Sequence, residues 1–164
     1  LALSLPLLLL AQACAPSLNW REVRLAGGEL KALLPCKPDQ ASRHQKFGTQ
    51  ELELAMQGCE AGGGLYAVSV VELRDGAGAA AVQAAWERKL LEALQAGTPQ
   101  HSSTTVSGAA AQQLQACGRR PDGRPVCVQA LWFARGARLY HAALYAERIG
   151  ADQREPFFTG LEFQ

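Results

Sequence analysis

Five cysteines are the residues of this chain whose type and spacing most clearly indicate chemistry. A thiol can be acylated, joined in a disulfide, bound to a metal ion or used as a nucleophile, and the compartment decides which of these is open to it. Cys14 lies in an apolar N-terminal stretch, while Cys36, Cys59, Cys117 and Cys127 are spread over the rest of the sequence. The N-terminal stretch therefore has to be interpreted first.

Residues 1–13 are typical of a secretory signal. Residues 1–20 carry no charged side chain, and Leu7–Leu10 form a continuous apolar block. This block is too short for a membrane-spanning helix, which needs about 20 apolar residues. Ala11 and Ala13 occupy the small-residue positions of an A-x-A cleavage site. We therefore expect residues 1–13 to be a signal peptide.

Cleavage after Ala13 would leave Cys14 as the first residue of the mature chain. The run Leu10-Ala11-Gln12-Ala13-Cys14 resembles a bacterial lipobox, in which that cysteine is acylated on sulfur and anchors the protein in the membrane. We expect lipidation at Cys14 and a short tether over residues 14–19, in an exported, periplasmic, membrane-anchored lipoprotein. A soluble periplasmic or secreted protein and a buried N-terminal helix are the alternatives.

The four cysteines that remain are an even number, which in an oxidising compartment predicts two disulfides. Pro121-Asp122-Gly123 is a turn sequence, and Cys117 and Cys127 are equidistant from Asp122, so a hairpin would bring them face to face. Of three possible connectivities we expect Cys117–Cys127 and Cys36–Cys59. The absence of C-x-x-C pairs and of closely spaced ligand pairs disfavours redox or zinc chemistry, which stays an alternative together with free thiols.

The remaining candidates for chemistry have simpler interpretations. His44, His101 and His141 are far apart, with no carboxylate or second ligand at helical or strand spacing, so we expect surface or structural histidines. Residues 76–81, GAGAAA, fit a dinucleotide-binding fingerprint, but no strand with an acidic residue follows about 20 positions later. We expect no catalytic residue, no cofactor and no metal ligand.

Trp20, Trp86 and Trp132 fall at expected core positions, where tryptophan most often packs. If the chain has a ligand pocket, we expect it beside Trp132 and Tyr145.

Hydrophobic periodicity predicts the elements that would position these residues. The expected strands are residues 20–25, 30–34, a hairpin turning at Gly48, 65–73, 110–117, 126–133 and 138–145. A long helix carries the stripe Val82, Trp86, Leu90, Ala93 and Leu94, residues 98–108 are expected to be a polar connection, and a short closing helix carries Phe157, Phe158 and Leu161.

This order of elements predicts one α+β domain over residues 20–164, with a mainly antiparallel sheet. The strand at 65–73 is apolar on both faces, as in sheets that are covered on both sides. We expect the long helix to cover one face of the sheet and the short closing helix to cover the other.

Several short segments together resemble a group of bacterial exported proteins of unknown function. The segments are ALLPCKPD, LYAVSVVEL before a long helix, a Gly-Ala-Ala segment before a strand hairpin, RLYHAALYA and the terminal FFTGLEF. The resemblance spans most of residues 20–163 and implies the PsbP and Mog1 type of α/β/α sandwich, and it implies little about activity. Cys36 stands where that group usually has glycine, and a bridge to Cys59 would replace the constraint of the glycine turn.

The net charge of the chain and the motifs that it lacks limit the classes of function that we expect. Lys and Arg number 16 against 15 Asp and Glu, for a net charge of +1 without a block of like charge, which argues against a nucleic-acid partner. An export signal and a disulfide-bonded domain without a recognisable catalytic constellation predict a non-catalytic envelope lipoprotein that acts as an interaction, assembly or binding module. Its expected partners are the membrane, through the lipid, and an envelope protein. An enzyme or small-ligand-binding protein with an unrecognised site is the alternative.

Overall fold

The structure of the protein, a computed structural model, describes residues 17–74 and 78–164. The expected signal peptide (residues 1–13) and the expected lipidation site Cys14 lie outside the described residues, as do residues 76 and 77 of the glycine-rich segment. The strands are β1 (Arg21–Leu25), β2 (Leu30–Leu34), β3 (Asp39–Phe47), β4 (Gln50–Ala61), β5 (Gly64–Glu72), β6 (Gln100–Val106), β7 (Ala109–Arg119), β8 (Pro125–Arg135), β9 (Arg138–Ala146) and β10 (Glu162–Phe163). The helices are α1 (Ala79–Ala93) and α2 (Ala151–Thr159).

Seven strands form one antiparallel sheet in the order β3-β4-β5-β9-β8-β7-β6. Helix α1 carries the chain from β5, in the middle of this sheet, to β6 at its edge. Strands β6 to β9 then return by successive hairpins until β9 lies beside β5. The α+β class with a mainly antiparallel sheet is therefore confirmed.

Each face of the large sheet has its own core, as the sequence predicts. On one face the α1 side chains Val82, Trp86 and Leu90 are buried against the sheet. On the other face Phe157 of α2 and Leu161 after it are buried.

The second face has an additional cover that the sequence does not predict. Strands β1 and β2 do not belong to the large sheet and pair with β10 in a separate three-stranded sheet. Leu30, Ala32 and Leu34 of β2 are fully buried, because alternate side chains of a strand face the same side. The closing helix therefore covers this face as expected, together with a small sheet that the sequence does not predict.

Residues 98–108, expected to be a polar connection, contain strand β6. Every residue from Gln100 to Thr105 is exposed, so the segment lacks the apolar alternation by which strands are usually recognised. Its threonines favour extended backbone, and Ser107 and Gly108, both at positive φ, form the tight turn that joins β6 to β7. The prediction was wrong because an edge strand open to solvent on both faces needs no apolar residues.

Both expected disulfides are present. Cys117 lies opposite Cys127 across the β7–β8 hairpin, with Cα atoms 4.0 Å apart. Cys36, just after β2, is joined to Cys59 of β4 over a Cα distance of 6.0 Å, which ties the small sheet to the large one. Two disulfides indicate an oxidising, non-cytoplasmic environment. No helix in the described part of the chain is both long enough and apolar enough to cross a bilayer.

Candidate functional site

A groove of about 450 Å³ lies over the ends of β6, β7 and β8, on the face of the large sheet that also carries α2. Its floor includes Gln100, Gln115 and Gln129, which we call the glutamine row. The Cys117–Cys127 disulfide lies next to this row, and Ile149 and Arg154 line the side nearest α2. We call this feature the glutamine groove.

The glutamine row follows from strand register. Gln100 of β6 lies directly opposite Gln115 of β7, which lies directly opposite Gln129 of β8. Because neighbouring strands are about 4.8 Å apart, the three side chains span about 10 Å across the sheet. Gln129 is buried, and its Nε2 donates to Oε1 of Gln113 at 3.3 Å.

The glutamine row is uncovered because the second layer, which consists of the small sheet and α2, does not extend over it. Phe163 of the small sheet packs against Phe133 of β8. Phe157 of α2 packs against Tyr66 of β5. Strands β7 and β6 contribute Ala111 and Val106 to the core on this face. Both residues lie near the end of these strands that is farther from the glutamine row. The polar half of β6 and β7 therefore forms a solvent-facing shelf beside α2.

The side chains that line the groove offer hydrogen-bond donors, hydrogen-bond acceptors and one positive charge. Each glutamine amide has two N–H donors and one carbonyl acceptor, and a guanidinium such as that of Arg154 can bind a carboxylate with two parallel hydrogen bonds. Among the ion pairs of the described residues, none involves Arg154. Of the described residues that line the groove, Arg154 alone has an ionisable side chain. The groove therefore does not bring together two titratable groups, as an acid–base site does.

The place where the sequence predicts a pocket, beside Trp132 and Tyr145, is closed. Helix α1 covers that face, and the His141 ring lies between the rings of Trp86 and Trp132, with centroids 4.7 Å away on each side. Burial lowers the pKa of His141 to about 3 and raises the pKa of Tyr145 to about 12. The glutamine groove lies on the opposite face, because side chains alternate along β8 so that Trp132 faces α1 and Gln129 faces away from it.

The other two histidines lie on the surface. His101 of β6 pairs with Glu87 of α1 at 2.7 Å, and His44 of β3 is exposed. Within residues 17–74 and 78–164, no group of three His, Cys, Asp or Glu side chains is placed to hold a metal ion.

Glu29 forms the main polar contact between the small sheet and the large one. Its carboxylate accepts hydrogen bonds from Arg138 and from the hydroxyl of Tyr140. The Arg138 and Tyr140 bonds hold the pKa of Glu29 below its usual value. The contact holds two layers together and lies away from the glutamine groove, so we assign it a structural role.

Sequence reasoning did not single out the glutamine row, although Gln129 gave a usable signal. It interrupts the apolar run Val126–Phe133, and a polar residue in such a strand is informative. Gln100 and Gln115 gave none, because their alignment depends on the β6–β7 register.

The chain matches no protein-family model and no curated protein. Among solved structures it is similar to a protein from Bacteroides thetaiotaomicron, with 12% sequence identity and a TM-score of 0.50 over 87% of this chain. The chain spans about half, 48%, of the length of that protein. This likeness concerns the fold alone.

A protein of unknown function from Pseudomonas aeruginosa is also similar, with 16% identity and a TM-score of 0.37, over 77% of this chain and 82% of that one. At that TM-score it supports no further argument. Neither protein is described as a PsbP or Mog1 relative, so that resemblance stays a prediction.

Proposed function

We propose that this protein is a non-catalytic, exported binding module, held at the membrane by a lipid on Cys14, whose glutamine groove receives an extended segment of another envelope protein. The single observation that carries the binding role is the groove itself, a polar shelf that the second layer leaves open beside Arg154. The two disulfides support export.

The chemistry of the glutamine row favours a polypeptide as the ligand. An extended chain offers one N–H donor and one C=O acceptor per residue, and a glutamine amide can satisfy both kinds of group. The span of the row, about 10 Å, corresponds to about three residues of extended chain. A carboxylate on that segment would bind Arg154, so we propose an acidic segment.

Capture from an envelope extract tests the proposal when the groove itself is varied. The purified protein is compared with Gln115→Trp, which fills the groove, and with Arg154→Glu, which reverses its charge. Arg88→Glu is the matched control, because Arg88 is an exposed arginine of α1, on the other face of the sheet.

We expect one partner to be captured by the parent and by Arg88→Glu, and lost with both groove variants. Equal capture by all four proteins would contradict a role for the groove. Turnover of a substrate by the purified protein, without any groove-dependent partner, would favour an enzyme instead.

A further inference from the structure

Strand β6 presents one open edge of the large sheet. One side of Gln100–Val106 is bonded to β7, and no other strand of the described residues pairs with its second side. Residues Gln100 to Thr105 are all exposed. A row of unpaired N–H and C=O groups on such an edge is a template for a further strand.

The β6–β7 turn determines which backbone groups point outward. Ser107 and Gly108 form a two-residue turn that closes on the pair Val106 and Ala109, and such a turn closes on a hydrogen-bonded pair. Because bonding alternates along an antiparallel ladder, the outward N–H and C=O groups belong to His101, Ser103 and Thr105. These three residues offer six backbone groups to a partner.

Strand β6 also lacks the devices that usually protect an edge. Its sequence, QHSSTTV, contains no Lys, Arg, Asp, Glu or Pro, and its register with β7 runs without a bulge. The opposite edge of the sheet, β3, carries Asp39, Arg43 and Lys46, and charged side chains discourage edge-to-edge pairing.

We infer that β6 pairs antiparallel with β6 of a second copy of this chain, which joins two seven-stranded sheets across a two-fold axis. End-to-end alignment of the seven-residue strand places Ser103 opposite Ser103, and His101 opposite Thr105 of the second copy. The outward groups of the three residues then meet one another, which forms six hydrogen bonds. Pairs of Ser and Thr side chains across strands are favourable.

Antiparallel pairing of β3 with β3 of a second copy is unfavourable. End-to-end alignment of that nine-residue strand places Arg43 directly opposite Arg43 of the second copy, and directly opposed like charges destabilise a strand pair. Self-pairing is thus favourable at β6 and unfavourable at β3, which supports a second copy as the occupant of the β6 edge. The inference does not depend on the ligand of the glutamine groove.

The first test measures the mass of the full chain by sedimentation equilibrium up to about 1 mM, the weak end of specific association. Every protein in the test carries Cys14→Ser, so that neither a lipid nor a fifth thiol contributes. We expect the mass to rise from one chain toward two. Ser103→Lys, which opposes two charges at the axis, should abolish the rise, and Ala41→Lys, which adds the same charge to the β3 edge, should leave it unchanged.

The second test determines the register with a single introduced cysteine. Residues at the Ser103–Ser103 position of a hydrogen-bonded pair have Cα atoms about 5.5 Å apart, within disulfide range. Two Thr105 residues would be offset by four positions, or about 14 Å. We expect mild oxidation to cross-link Ser103→Cys and not the matched control Thr105→Cys.

A chain that stays monomeric to about 1 mM overturns the inference. So does a dimer that survives Ser103→Lys, and so does equal cross-linking of Ser103→Cys and Thr105→Cys. If Ser103→Lys fails to fold, the cysteine pair still decides the question, since serine to cysteine changes little else. Loss of groove-dependent capture by a protein that still dimerises would refute the proposed function alone.

Discussion

The environment of His141 keeps its imidazole neutral in the folded protein. The ring is 4% exposed and lies between two tryptophan rings, and its Nε2 has no hydrogen-bond partner in the described structure. Burial lowers its pKa from 6.5 to about 3, because desolvation penalises the charged form. The unfolded chain therefore binds a proton at a higher pH than the folded chain does.

This difference predicts that acid weakens the fold through His141. Stability is at its full value above the unfolded pKa of 6.5 and falls as the pH drops from 6.5 toward 3, because the unfolded state then holds one more proton. Between pH 7 and pH 5 the free energy of unfolding should fall by about 2 kcal/mol. His141→Phe, which keeps an aromatic ring in the slot, should remove this slope in urea titrations at both pH values.

A parent protein whose stability is the same at pH 7 and pH 5 would contradict this account of His141. Glu29 does not interfere with this measurement. Because its pKa is lowered in the folded protein, the stability that it contributes is lost mainly below its ordinary pKa of 4.5.

At the scale of elements, Trp86 fixes α1 on the sheet. Its ring packs against Phe47 of β3, with centroids 4.9 Å apart, and against His141 of β9 at 4.7 Å. The side chain is 9% exposed. One residue of the helix thus contacts strands at the edge and in the middle of the sheet.

Trp86→Ala should lower the free energy of unfolding by about 3 to 5 kcal/mol, the usual cost of removing a large buried aromatic side chain. Arg88→Ala, an exposed change on the same helix, should change it by less than about 0.5 kcal/mol. Denaturant midpoints of the two variants against the parent test this. Similar small shifts in the denaturant midpoint for both variants would show that Trp86 of α1 is not packed against the sheet as described.

The sequence was sufficient to predict those elements whose local residue pattern matches their burial in the folded protein. The α1 stripe, the β7–β8 hairpin and both disulfides follow from periodicity and turn residues, and the structure shows each of them. The β6 strand has no apolar pattern because Gln100–Thr105 are exposed on both faces, so periodicity could not reveal it.

The separate small sheet and the glutamine groove were beyond sequence reasoning for another reason. Both depend on which strands lie side by side, since β10 reaches β2 from the far end of the chain and the glutamine row needs three strands in register. Alternation shows that a strand has two faces, but it does not show which neighbour covers each face.

At the scale of the whole molecule, the two faces of the large sheet are covered to different extents. The α1 face is closed over His141 and Trp132, while the α2 face is covered at Tyr66, Leu131 and Phe133 and open at the end of β6, β7 and β8 that carries the glutamine row. A buried core and an exposed polar shelf therefore occur in one small domain.

The lipid proposed at Cys14 predicts the mass and behaviour of the native protein. The intact mass should correspond to a chain that begins at Cys14 and carries acyl groups, and the protein should partition into detergent. Cys14→Ser should abolish that partition. An unmodified N-terminal cysteine, or retention of residues 1–13, would show that lipidation does not occur.

The central claim, that this protein binds a partner through the glutamine groove, is tested most directly by site-specific photo-crosslinking in the intact envelope. A benzophenone side chain is placed at Thr98, an exposed residue that lines the groove, and in a separate protein at Arg88, on the α1 face. We expect one discrete adduct from position 98, which disappears when Arg154→Glu is added, and none from position 88. No adduct from position 98, or the same adducts from both positions, would contradict the claim.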